Sequence, residues 1–279
     1  MSTPYVPNDP GPNPNIANDP PWRLVAILGG GFIAVILAAW FVLGWIGGSL
    51  AKQVPDGVEQ RLGEFIPVEQ MQGQSPELLA ARDHLQGIVD VMATELPPRE
   101  LPYRVIVVED PTVNAAAVPG GAILVFRGLL DGATSENEVA MILGHEIAHH
   151  HHRDLLERLG RQLVVAAVLS SIFGDGGGLE QLGGLGVEGL SRKMGRDDER
   201  EADELALDLL DAVYGHVGGS TAFFERMLED DVDGLMKWAS THPLSAERID
   251  RIIEIAGERG YRFGETQPLP SFESAPTRE

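Results

Sequence analysis

The chain has 279 residues, room for one sizeable domain with appendages. Its formal net charge of −21, with no basic stripe, argues against a nucleic-acid partner, and anionic lipid headgroups would repel it, so membrane attachment needs an apolar anchor. Cysteine is absent, which removes a disulfide framework and any thiolate metal site.

Residues 1–22 are rich in Pro, Asn and Asp without apolar periodicity and read as a disordered tail. Residues 23–51 read as a transmembrane helix. From Leu24 to Ala51 no residue is charged, and the run exceeds the roughly 20 residues a spanning helix needs, so residues 24–51 would contact membrane lipid. Trp22, Trp40 and Trp45 suit the membrane–water interfaces. A cleaved signal peptide is the alternative, since Ser49-Leu50-Ala51 resembles a cleavage site, but the apolar core is too long and no basic region precedes it. Arg23 on one side and Lys52 and Arg61 on the other barely discriminate an orientation.

Residues 52–74 form a connector, and the main domain covers 75–261. Ser75-Pro76-Glu77 starts a helix, with Pro at the first helical position, that runs to about Met92. Tyr103–Val108 is β-branched and reads as a strand, and Ala122–Phe126 as a second. Pro119-Gly120-Gly121 marks a turn between them or a bend at their start. An exposed strand edge here would accept a peptide through main-chain hydrogen bonds; an ordinary hairpin is the plainer reading.

Ser135-Glu136-Asn137-Glu138 reads as a capping box ahead of the apolar run Val139–Leu143. That run leads into His145-Glu146-Ile147-Ala148-His149, an H-E-x-x-H sequence. Positions four apart share a helix face, so His145 and His149 can aim two imidazoles at one zinc ion. Glu146 can then reach a water at the metal, the pairing that amide hydrolysis at neutral pH requires. A chance match on a core helix is the competing explanation. Of the run His149–His152, only His149 has the spacing to His145; the other three read as helix-end residues.

Leu163–Ile172 is apolar but too short to span a bilayer, which leaves core packing, the bilayer surface or a plug open. The Gly-rich stretch Gly174–Gly189 reads as a mobile element able to gate a cleft, and lacks the ending of a phosphate loop. Glu199 and Asp203, again four apart, share a helix side with Ala202, Leu205, Ala206, Leu209 and Leu210. Glu199 can complete a His-His-Glu site, and Asp203 can hydrogen-bond a ligand histidine. A solvated acidic helix start accounts for Asp197 and Asp198. Residues 262–279 hold Pro268, Pro270 and Pro276 and read as a C-terminal tail.

H-E-x-x-H followed by Glu199-Arg200-Glu201-Ala202-Asp203, an E-x-x-A-D sequence, resembles the M48 family of zinc metallopeptidases. Asn114-Ala115-Ala116-Ala117-Val118-Pro119-Gly120-Gly121-Ala122-Ile123 resembles its N-A-x-x-x-P-G-G-x-I segment, and Thr241-His242-Pro243 through Arg248-Ile249 its H-P-x-x-x-x-R-I segment. One departure is visible: Gly195 stands where the family often has Ser, and Ser191-Arg192 lies upstream. The resemblance implies an α+β, gluzincin-like fold, mostly helical with a small sheet, preceded by one transmembrane helix. It implies one Zn2+ per chain held by His145, His149 and Glu199, with Glu146 as general base. It also places His242 and Arg248 near the site, where a donor aimed at a developing oxyanion can contribute on the order of 3 kcal/mol. For His242 a helix start before Pro243 competes with that role, and for Arg248 a structural ion pair is favoured. Asn114, Ala115 and Ala116 become the substrate edge strand. Single-anchor relatives commonly place the peptidase domain outside the cytoplasmic membrane, which implies a periplasmic location here.

Two function classes follow. One is a membrane-anchored zinc endopeptidase acting on membrane or misfolded envelope proteins. The other is a non-catalytic, chaperone-like module on the same fold. The intact Glu146 favours the enzyme, because a retired enzyme would keep its shape and lose its base.

Overall fold

The computed structural model describes residues 22–173, 194–229, 238, 241–242 and 245–272. Gly174–Gly189 lies outside the described residues, as do Pro243 and the terminal segments 1–21 and 273–279.

Helix α1 (Trp22–Ala51) carries the uncharged run. Among the described residues it is the one helix long and apolar enough to cross a membrane, and its most apolar window buries nothing against the rest of the chain. The connector holds α2 (Asp56–Glu64) and a 3-10 turn (Val68–Met71). Helix α3 (Pro76–Thr94) starts where Ser75 Oγ accepts from Leu78 N at 3.3 Å. Its buried positions Leu78, Ala81, Leu85, Ile88, Val89 and Met92 form one stripe, as helical periodicity requires.

The sheet has three strands in the order β1-β3-β2. β1 (Arg104–Val108) lies parallel to β3 (Ala122–Phe126), and β2 (Ala115–Val118) lies antiparallel to β3. The continuous apolar run of β3 is buried throughout, as a central strand demands. Pro119-Gly120-Gly121 therefore closes the β2–β3 hairpin, and β1 joins from the far side. Gly120 and Gly121 have φ of 89° and 80°, and a Cβ on Gly121 would lie 2.4 Å from Pro102 O.

Beyond α4 (Arg127–Gly132), α5 (Glu136–His152) is buried from Glu136 to His150. Ser135 Oγ accepts from Glu138 N at 3.2 Å, while the Glu138 carboxylate accepts from Thr134 N at 2.9 Å and Thr134 Oγ1 at 2.7 Å. The box thus closes one residue earlier than a strict capping box, and Glu136 N donates to Gln267 O at 2.9 Å, so the segment after Arg262 helps cap α5. Leu269 and Phe272 of that segment pack on the core. Helices α6 (Asp154–Phe173), α7 (Arg196–Tyr214), α8 (Ala222–Glu229) and α9 (Ala246–Glu258) complete the described fold. The whole is the α+β arrangement expected from the sequence: mostly helical, one small sheet, one N-terminal apolar helix.

Candidate active site

Helices α5 and α7 meet closely because Gly144 has no side chain: a Cβ there would lie 3.2 Å from Ala206 Cα. The contact turns the inner face of α7 towards the two histidines of α5. His145 and His149 lie one turn apart, with their Nε2 atoms 3.0 Å from each other. Both rings are fully buried.

Each ring is held from behind by a carboxylate. His145 Nδ1 is 3.0 Å from Asp203 Oδ1, and His149 Nδ1 is 2.8 Å from Asp154 Oδ2. With Nδ1 committed, each ring presents Nε2 to the same point, the arrangement seen when a carboxylate orients a metal-ligating histidine. Glu199 reaches that point from α7: Oε2 is 3.5 Å from His145 Nε2, and Oε1 is 3.7 Å from His149 Nε2.

His242 enters as a fourth group. It stacks on Trp238 with ring centroids 4.3 Å apart, and its Nδ1 is 2.8 Å from Glu199 Oε1 and 3.3 Å from His145 Nε2. Helix α9 begins at Ala246, with Ser245 as its N-cap, and Pro243 lies outside the described residues. Ligand atoms of His145, His149, Glu199 and His242 all lie within 4.8 Å of one another. Tetrahedral zinc with bonds of 2.0–2.1 Å separates its ligand atoms by about 3.3 Å, so a cluster of imidazole nitrogens and one carboxylate at this spacing fits the ion. Three of these donors leave the fourth position of such an ion open, and a fourth donor would fill it.

Electrostatics favour a cation here. Burial raises the Glu199 carboxyl, but His242 and His145 outweigh it and hold the group far below the usual carboxylate range. Asp203 is likewise lowered, with Arg248 and His145 overcoming burial. Burial alone would lower His145, yet hydrogen bonds to Asp203 and Glu199 push it up to about 9. Burial lowers His242 below the usual histidine value.

Glu146 links the cluster to the sheet. Its Oε2 accepts from Ala117 N at 2.6 Å, and its buried Oε1 has no hydrogen-bond partner and lies 3.6 Å from His242 Nε2. Phe126 N donates to Asn114 O at 3.0 Å, and the β2–β3 register makes Asn114, Ala116 and Val118 the residues bonded to β3. The outward-facing backbone groups of this edge therefore belong to Ala115 and Ala117. Of the expected edge residues, Ala115 directs its backbone groups away from β3 while itself buried, and Asn114 and Ala116 bond to β3.

Arg248 forms the ion pair expected of it. Nε and Nη2 donate to the two oxygens of Asp203 at 2.8 and 2.7 Å, Nη1 is 2.8 Å from Glu199 Oε2, and the guanidinium lies 4.3 Å from the Phe224 ring centre. It clamps Glu199 and Asp203 together on α7. Two contributors escaped sequence reasoning: Asp154, five residues after His149, and Ala117. The first sits in a charged stretch that looks like an ordinary helix start. The second contributes only a backbone N–H. His150 lies in the last turn of α5, as expected of a helix-end residue, and is also buried, with Nε2 3.0 Å from Ala122 O.

A buried H-E-x-x-H helix, a carboxylate delivered by a second helix and Glu146 set against a sheet edge are the features of the H-E-x-x-H class of metallopeptidases. Comparison with known proteins agrees. The profile of Peptidase family M48 matches residues 80–256, more than half of the chain, and the chain belongs to that family. It is 32% identical over 161 residues to the mitochondrial metalloendopeptidase OMA1 of Schizosaccharomyces pombe, covering 56% of this chain and 47% of the relative. It is 31% identical over 174 residues to the metalloprotease LoiP of Escherichia coli (60% and 68%), and 28% identical over 173 residues to the metalloprotease YcaL of the same organism (60% and 67%). The chain thus spans about half of the mitochondrial relative and about two thirds of the bacterial ones.

Proposed function

We propose that this chain is a membrane-anchored zinc endopeptidase. The reading rests above all on the Glu146 carboxylate, which stands between the histidine cluster and the outward N–H of an edge strand. His145, His149 and Glu199 hold the zinc ion, with Asp203 and Asp154 fixing the imidazoles. Bound zinc supplies a Lewis acid that polarises the scissile carbonyl and acidifies water. The substrate lies along β2 as an added strand, using the outward groups of Ala115 and the carbonyl of Ala117, whose N–H holds Glu146. Glu146 takes the proton of the attacking water and delivers it to the leaving amine. His242, 3.6 Å from Glu146, would face the developing oxyanion. Arg248 acts through Asp203 and Glu199, not on the substrate.

Main-chain recognition at an edge strand tolerates many sequences, which suits unfolded or damaged protein as substrate. With α1 in the cytoplasmic membrane and the domain on the extracytoplasmic side, the substrates are membrane or misfolded envelope proteins, and the role is envelope protein quality control. The full chain in detergent should degrade an unfolded test protein, lose that activity to a chelator and regain it with zinc. Undiminished degradation after chelation and dialysis would remove the reading. Protease added to spheroplasts should reach the domain after Ala51 and spare the segment before Trp22; the reverse pattern inverts the orientation, and a mature chain starting near Lys52 makes the segment a cleaved signal.

A further inference from the structure

Helix α6 begins at Asp154, which holds His149, and then runs antiparallel along α1. The pairing is read from the glycines. Gly48 faces Glu157, Gly47 faces Gly160 and Val164, and Gly44 faces Arg161, so descending positions on α1 meet ascending ones on α6. The backbones touch: a Cβ on Gly47 would lie 2.5 Å from Val164 Cγ2, and one on Gly160 would lie 2.5 Å from Gly47 O. Small residues at such a crossing let the two backbones approach closely.

Charge sets the level of the bilayer along this pair. Lys52 Nζ is 2.7 Å from Glu157 Oε2 and 3.6 Å from Asp154 Oδ1, and Arg161 pairs with Glu157. These groups belong at or outside the interface, because an ionised side chain in hydrocarbon is expensive. Beyond Gly44 towards its N-terminus, α1 offers Leu24–Leu43, roughly 20 residues without charge, the length of the hydrocarbon core. Beyond Arg161, α6 offers Gln162 and then Leu163–Phe173, also without charge. Leu163 and Ala167 are exposed to the surroundings of the chain.

We infer that Leu163–Phe173 enters the hydrocarbon beside α1, so that the chain is held by a pair of helices, one spanning and one inserted about halfway. At 1.5 Å per residue the inserted part reaches about 16 Å, against a core of about 30 Å. The same rise puts Asp154 only about 14 Å from the level of Leu163. The proposed zinc site is thereby held close to the bilayer surface by a rigid strut. The substrate that fits this placement is a polypeptide segment emerging from the membrane beside the enzyme. This rests on the reading of α1 as a membrane helix, and the test separates the two.

The absence of native cysteine makes single-cysteine labelling direct. Leu163→Cys and Ala167→Cys on α6, Val35→Cys on α1 and Glu225→Cys on the exposed face of α8 are placed in the full chain, reconstituted in phosphatidylcholine–phosphatidylglycerol vesicles. Each carries an environment-sensitive dye, read with spin-labelled lipids of shallow and deep label. The expected result is lipid quenching at 163, 167 and 35, none at 225, and stronger quenching at 167 than at 163 by the deep label. Aqueous behaviour at 163 and 167 with quenching at 35 overturns the inserted strut while keeping the anchor. Equal quenching of both α6 positions by the shallow label alone also overturns it, since the helix would then lie flat. Aqueous behaviour at 35 removes the anchor and the strut together.

Discussion

Glu146 Oε2 accepts the backbone N–H of Ala117 at 2.6 Å, so the base proposed to activate water is positioned by the very strand proposed to hold the substrate. A hydrogen bond to a charged group contributes about 1.5–3 kcal/mol. Ala117→Pro removes that donor on the outward side of an edge strand, where proline is tolerated. Hydrolysis should fall about 10–100-fold, as that energy implies. Zinc content and the circular dichroism spectrum should be unchanged; full turnover in this variant would uncouple strand and base.

The histidine orientation can be tested apart from the ligands. Asp154→Asn and Asp203→Asn should each weaken zinc affinity about 10–100-fold in competition with a chelator. Asp203→Asn should be the worse, because Asp203 also receives two hydrogen bonds from Arg248. Wild-type affinity in both would show that the rings hold their orientation without help.

Helix register on α7 yields a third test. Glu199 is buried and Glu201 exposed. Glu199→Ala should release zinc, while Glu201→Ala should retain one ion per chain. The opposite result, measured by metal analysis, would place the third ligand on the other face.

Acid should loosen the connector. Asp56 is hydrogen-bonded by Arg99, which holds its carboxyl below the ordinary value. Such a group adds stability above its unfolded value, near the usual 3.8, and loses it as pH falls through the lower folded one. Asp56→Asn should therefore lower the melting temperature at pH 7 and narrow its gap to wild type as the solution is acidified below about pH 4. A gap that stays constant with pH would contradict the sign.

Much of the site was legible because its chemistry recurs at helical spacing. His145 with His149, and Glu199 with Asp203, are four apart and flanked by apolar residues, so periodicity alone puts each pair on one buried face. Ser75 and Ser135 announced their helices for the same local reason. Contacts set by tertiary packing were not legible. Nothing in an Ala-rich segment says that Ala117, and not Ala116, turns its N–H outward; the hairpin register decides it. Asp154 looks like a helix-start acid until the left-handed turn at Arg153, with φ of 61°, swings α6 back under His149. The apolar run after Arg161 left core, surface and plug equally open, because its neighbour is α1, more than a hundred residues earlier.

The central claim is that a zinc ion held by His145, His149 and Glu199 works with Glu146 as base. Zinc content and hydrolysis of an unfolded protein, measured side by side on wild type, His145→Ala and Glu146→Gln, test it most directly. The account predicts one zinc and activity in wild type, neither in His145→Ala, and one zinc without activity in Glu146→Gln. Turnover at the wild-type rate by Glu146→Gln, or a full zinc complement in His145→Ala, would contradict it.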